Sequence, residues 1–201
     1  MATEAPEIVV VPANEAAWED LRAIFGERGQ GARCLCQRYK LQPGEAFASF
    51  PVEERAHRLR AQTACGDPAS PTTSGLVAYL DGEPAGWCAV EPRPAYPGLA
   101  RSGRVAWMNR DEDKQDEDVW AVTCLFTRAG RRRRGISRAL ARAAVEHARA
   151  RGARALEAYP MTTTDAIAEE LHVGTVSTFA AAGLTEIGRP TARRAVMRIA
   201  L

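Results

Sequence analysis

No apolar run in this 201-residue chain approaches the ~20 residues that a membrane-spanning helix requires, so a helical membrane anchor is not expected. The start, Met1 to Glu7, is acidic and has neither the basic opening nor the apolar core of a secretion signal, which points to the cytoplasm. Lysine is nearly absent, occurring only at positions 40 and 114. Cysteine is sparse and odd in number: Cys34, Cys36, Cys65, Cys88 and Cys124 suit free thiols in a reducing compartment better than a disulfide framework. The C-x-C pair at Cys34 and Cys36 has no matching second pair, and His57, His147 and His172 are scattered, so no metal site is expected. No repeat is present, and the Pro/Gly/Ser-rich stretches are too short to divide the chain, so residues 1–201 are expected to form one domain.

What is present is an ordinary globular composition, 46% hydrophobic and 26% charged, with a net charge of +2 that hides a division. Residues 111–118 hold six acids and one lysine, whereas residues 128–154 hold ten arginines and one acid, Glu146. The first stretch attracts cations and the second anions.

Hydrophobic periodicity gives the order of elements. Glu7 to Pro12 reads as a strand, and Asn14 is placed to cap a helix from Glu15 to Phe25 whose Trp18, Leu21, Ile24 and Phe25 share a face. Pro51 opens a second helix that ends near Gly66. Ser74 to Leu80 and Glu83 to Glu91 flank Asp81-Gly82, a strong hairpin signal. Pro92 to Asp118 has no sustained period and reads as a long loop. A strand at Val119 to Thr127, a helix at Ile136 to Arg151, a strand at Ala155 to Tyr159 stopped by Pro160, a helix near Thr175 to Ala182 and a strand at Ala195 to Leu201 complete a mixed α/β layout.

The chemistry concentrates between the strand ending at Thr127 and the helix beginning at Ile136. A glycine-containing turn that feeds a helix start presents free backbone N–H groups and the positive end of the helix dipole, and such a place binds phosphate. Arginines there pair with phosphate oxygens, and Gly135 admits a pyrophosphate close to the backbone. Gly130 and Gly135 nearly satisfy the nucleotide P-loop pattern with Ser137 in its hydroxyl place, but Ile136 stands where that motif needs lysine, and the dinucleotide pattern G-x-G-x-x-G is absent.

Arg132, Gly135 and Ser137 occupy the places of a signature that runs arginine or glutamine, two residues, glycine, one residue, glycine or alanine. The chain thereby resembles the GNAT superfamily of acetyl-CoA-dependent N-acetyltransferases, with serine in the last place as a departure. The segment Gly174 to Leu184 is similar to the superfamily's last helix, which ends in glycine and an apolar residue, here Gly183 and Leu184. The resemblance covers about Ile8 to Leu201 and is strongest at 119–160. It implies a central mixed sheet flanked by helices, acetyl-CoA as co-substrate, and a primary amine as acceptor. It places the pantetheine arm along Leu125, Phe126 and Thr127 and the pyrophosphate at Arg132, Arg133, Arg134, Gly135, Ile136, Ser137 and Arg138.

Amine acetylation needs a base for the ammonium and is helped by an acid for the departing thiolate. The tyrosine that the superfamily often carries four residues before the helix-terminal glycine is Phe179 here, which has no proton to give. Tyr159 is the candidate acid and Glu157, on the same face of its strand, the candidate base, with Glu91 as a further base. His147, on an apolar helix face, reads as a packed core residue. The acidic run reads as a solvated loop or as a lure for a cationic acceptor. Two rival readings stand: an acyl-CoA-binding regulatory module without catalysis, suggested by Phe179, and an Arg-rich nucleic-acid-binding surface. Neither the acceptor nor the oligomeric state is fixed by the sequence, and a homo-oligomer is compatible with it.

Overall fold

The structure is a computed structural model that describes residues 6–102, 104–167 and 170–201. Most of the acidic opening stretch, Met1 to Ala5, lies outside the described residues. The frame is the expected mixed α/β arrangement: a seven-stranded sheet in the order β1-β2-β3-β4-β5-β7-β6. Its strands are β1 (Ile8–Pro12), β2 (Gly75–Leu80), β3 (Glu83–Pro92), β4 (Val119–Thr127), β5 (Ala155–Ala158), β6 (Thr185–Thr191) and β7 (Arg194–Ala200). Among these described strands only β4 and β5 run parallel. The β2–β3 turn has positive φ at both Asp81 and Gly82, the backbone twist that joins antiparallel strands without splaying them.

The helices are α1 (Trp18–Phe25), α2 (Gly29–Cys34), α3 (Val52–Thr63), α4 (Pro97–Ser102), α5 (Arg104–Trp107), α6 (Ile136–Ala150) and α7 (Val176–Ala180). One face of the sheet is covered by α6 and α7, whose Ile136, Leu140, Ala144, Ala148 and Phe179 meet Leu76, Cys88, Val122, Leu125 and Leu156. The other face carries α1 and α3, with Leu21, Ile24, Phe25 and Leu59 packed on Val77, Trp87 and Ala89. Each large aliphatic side chain or phenylalanine among them contributes roughly 1.5–3 kcal/mol of transfer free energy, which is why the i, i+4 stripe of α6 dictates its docking.

Two local expectations are corrected, and two elements absent from the sequence reading are added. Asn14 does not cap α1, which starts at Trp18 after Ala17, three residues too far on; its amide nitrogen donates to the carbonyls of Asp67, Pro68 and Ser70 at 3.3–3.4 Å, and its Oδ1, the acceptor a cap would use, meets no donor among the described residues. The stretch Gly29–Cys34 forms α2 despite its glycines. The span 92–118 is not a plain loop: a 3-10 turn at Arg93–Ala95 and helices α4 and α5 lay Tyr96, Leu99 and Ala106 against Ala121, Tyr159 and Val196. Strand β6 leaves no period in the sequence because it is a largely exposed edge strand, with Gly188 and Pro190 interrupting any apolar alternation.

Candidate active site

β4 is the element that makes a site. Its register against β3 slips between Ala89 and Val90, leaving Thr123 as an extra residue, a bulge that re-aims the strand. β5 pairs with β4 only from Val119 to Val122. Beyond Ala158 the chain leaves: Pro160 has no N–H to continue the ladder, and Met161 bridges to Thr175 and Arg194 instead. The stretch from Cys124 to Thr127 therefore faces a cleft on the side where β5 would have been.

The cleft has a volume of about 780 Å³. One wall is Cys124 to Ala129 of β4 and its loop, another is the segment from Ala23 to Arg38, and a third is Leu171, His172 and Thr175. At its mouth the loop after β4 turns three times through the left-handed region, at Gly130 (φ 80°), Arg133 (φ 62°) and Gly135 (φ 85°). Gly135 is the N-cap of α6 and offers no side-chain cap, so the N–H groups of the first turn stay available to a ligand. Ser137 Oγ lies 3.2 Å from Thr127 Oγ1, tying the helix start to the end of β4.

Of the residues expected at the cofactor, Leu125, Phe126, Thr127, Arg132, Arg133 and Ser137 line the cleft. Arg134, Gly135, Ile136 and Arg138 do not border it. Ile136 is buried in the core beneath α6, so its side chain is unavailable and only its backbone N–H faces the loop. Arg28, Arg38 and Arg128 join Arg132 and Arg133, giving the cleft five arginines. The two N-terminal arginines carry no sequence signal because they lie about a hundred residues from the motif, and only packing brings them there.

Cys34, Cys36 and Cys124 also line the cleft. The indole N–H of Trp87 donates to Cys36 Sγ at 2.9 Å. Burial pushes the Cys34 thiol up and the Cys36 thiol well up, so both stay protonated and poorly nucleophilic near neutrality. Among the described residues no group of three His, Cys, Asp or Glu is placed to hold a metal ion.

Glu157 and Tyr159 do share one face of the chain, and the Tyr159 hydroxyl donates to Glu157 Oε2 at 2.8 Å. Neither borders the cleft. The Glu157 carboxylate is fully buried among Arg93, Arg110 and Arg198, with Arg198 Nη1 at 3.2 Å and Arg93 Nη1 at 3.5 Å. Three guanidiniums and a phenol occupy its lone pairs, which is the environment of a structural counter-ion. Tyr159 is held far above the usual phenol range by burial and by the neighbouring Glu157 charge, a poor setting for an acid.

Glu91 does not border the cleft either, but its surroundings differ. In register it stands beside Ala121, on the opposite side of β4 from Glu157, next to the bulge. Its carboxylate pairs with Lys40, which also sits 4.5 Å above the Tyr96 ring. Burial raises its pKa and the Lys40 charge opposes that rise.

The acidic run is partly spent on ion pairs within the chain. Glu112 pairs with Arg93, Arg110 and Arg198, and Asp116 with Arg154. His147 lies edge-on to Trp120 at 5.7 Å, and burial followed by the Arg151 charge lowers its pKa to about 4, as befits a packed neutral imidazole.

Comparison with known proteins agrees with this geometry. None of the curated proteins matches the sequence. Among solved structures, the fold is similar to an N-acetyltransferase from Staphylococcus aureus Mu50, at 15% identity over 96% of this chain and 98% of that one, TM-score 0.53. It is similar to yncA from Salmonella typhimurium, determined with its cofactor acetyl-CoA, at 14% identity over 98% and 95%, TM-score 0.52. It is similar also to the ribosomal-protein-alanine N-acetyltransferase of Brucella melitensis, at 16% identity over 96% and 99%, TM-score 0.53. At such identities these likenesses establish the fold. The model of the acetyltransferase (GNAT) family matches residues 36–173, well over half of the sequence, a span that contains the β4 bulge, the β4 wall of the cleft and the arginine loop. This chain therefore belongs to the GNAT family of acetyltransferases.

Proposed function

We propose that residues 1–201 act as one N-acetyltransferase domain, cytoplasmic in location, that moves the acetyl group of acetyl-CoA to a primary amine by direct attack in a ternary complex. The observation that carries this reading is the cleft opened where β5 leaves β4 after Val122, because it joins free strand backbone to an arginine-lined helix start. The phosphates would lie against the N–H groups of Gly135, Ile136 and Ser137 with Arg132 and Arg133 alongside, and Arg134 and Arg138 would act on them only at longer range. The pantetheine amides would pair with the backbone of Leu125, Phe126 and Thr127. The acetyl carbonyl then falls near Thr123 and Cys124, where strand N–H groups polarise it as the amine attacks.

Glu91 is the better base than Glu157. The two share a sheet face through Ala121 and neither borders the cleft, but Glu91 stands beside the bulge, its pKa is raised by burial, and its partner Lys40 comes four residues after Cys36 of the cleft wall. No covalent intermediate on the enzyme is required, consistent with the raised Cys34 and Cys36 thiols in the cleft. A panel of primary amines mixed with acetyl-CoA, followed by release of free thiol, tests the reading. Turnover with at least one amine is expected, and none with any of them would sink it.

The second reading, a non-catalytic acyl-CoA-binding module, is favoured by one observation: Phe179 is completely buried and gives no proton. It requires calorimetric binding of acetyl-CoA with no turnover on the same panel.

A further inference from the structure

The departing CoA thiolate needs a proton, and the side chains expected to give it are poorly placed. Phe179 has none, and Tyr159 is turned toward Glu157 outside the cleft. The remaining ionisable groups of the cleft are three thiols, two of them raised by burial, and five arginines, which hold their protons throughout the physiological range. One side chain differs in kind. His172, in the 3-10 turn Leu171–Val173 that precedes α7, also lines the cleft. Imidazole is the side chain whose ordinary pKa, about 6.5, lets it give and regain a proton near neutrality.

Its position is fixed by Gly174. That residue has φ 77°, and a Cβ on it would stand 2.8 Å from Phe179 and 3.0 Å from Leu125 Cδ1, so a side chain is excluded on both counts. The close approach presses the turn onto β4 at Leu125, one residue beyond Cys124. Val173 beside it is buried, and Thr175 pairs with Met161, so both flanks of the turn are pinned. His172 is thus carried on the wall of the cleft facing the unpaired part of β4, where the thioester falls under the proposed function.

We infer that His172 is the proton donor to the CoA sulfur, an inference that rests on the proposed acetyl transfer. The neutral amine forms a C–N bond to the acetyl carbon. The C–S bond breaks with its electron pair going to sulfur, and the imidazolium of His172 delivers its proton there to give CoA thiol. The nitrogen sheds its surplus proton to Glu91 or water, so one proton is released for each ammonium acetylated.

Two measurements decide the matter. In the first, His172→Cys is treated with CoA disulfide and mapped by mass spectrometry, with wild type as the background for Cys34, Cys36 and Cys124. Thiolate exchange at position 172 would release CoA thiol and leave a mixed disulfide, and excess acetyl-CoA should block it. No adduct at position 172 in a variant that still binds CoA would overturn the placement, whether or not any amine is turned over. In the second, His172→Gln should slow turnover by roughly a hundredfold with the KM for acetyl-CoA nearly unchanged, and should abolish the fall in kcat as pH rises through the imidazole range. A variant with wild-type kcat and pH profile, or one whose only defect is weakened CoA binding, removes the donor role while acetyl transfer stands. A wild-type protein that acetylates no amine removes both.

Discussion

Replacing Glu157 by glutamine separates a structural carboxylate from a catalytic one. Glu157 is completely buried, and Arg93, whose side chain is 1% exposed, would be left to share the partly exposed Glu112 with Arg110 and Arg198. Breaking one partner out of a buried ion cluster typically costs about 3–5 kcal/mol, since the surviving charge stays desolvated. For a chain of this length each kcal/mol lowers the unfolding midpoint by about 2–4 °C, so a fall of about 10 °C is expected for Glu157→Gln. Thermal unfolding followed by circular dichroism at pH 7 measures it, and acetyl transfer is assayed well below the lowered midpoint, where turnover should persist. Replacing Glu157 and Arg93 together by methionine should cost less than the sum of the single changes, because neither charge is then stranded. An unchanged midpoint combined with turnover slowed by roughly a hundredfold or more would refute the reasoning and return Glu157 to the role of base.

Gly135→Val should weaken CoA binding in calorimetry and also destabilise the fold by at least about 1–2 kcal/mol, because φ 85° forces the new side chain into the left-handed region although the nearest neighbour, Ile8, would be 3.7 Å away; full stability and full affinity would dismiss the loop as the cofactor site. His147, with its pKa lowered to about 4, resists protonation in the fold while the unfolded chain takes up a proton near 6.5, so stability should fall as pH drops from about 6.5 to 4 and His147→Gln should flatten that slope in urea titrations. Glu112, held at about 2 by its arginine partners against the cost of burial, contributes stability above the ordinary carboxylate range that is lost as pH falls toward 2; the stability gap between wild type and Glu112→Gln should close over that window. Changing Asp111, Asp113, Glu117 and Asp118 to amides should lower kcat/KM for a cationic amine at low salt only, and equal values for wild type and variant there would reduce the run to a solvated loop.

The sequence by itself determined the parts whose physics is local. Asp81-Gly82 carries its own turn chemistry, the i, i+4 stripe of α6 sets which side is buried, and Gly135 after the arginine run marks where α6 begins. The paired orientation of Glu157 and Tyr159 was likewise legible, since residues two apart in a strand share a face. What they face was not. Whether a carboxylate meets substrate or three arginines depends on Arg93, Arg110 and Arg198, which come from the 92–118 excursion and from β7. The same holds for the cleft: Cys36, Arg38 and His172 show no shared motif in the chain, and they meet only because β5 turns away from β4 at Pro160. Spacing along a strand or helix fixes the direction of a side chain, whereas its partners are chosen by the packing of segments far apart in sequence, and in this protein that packing decided which acids are buried among arginines and which groups line the cleft.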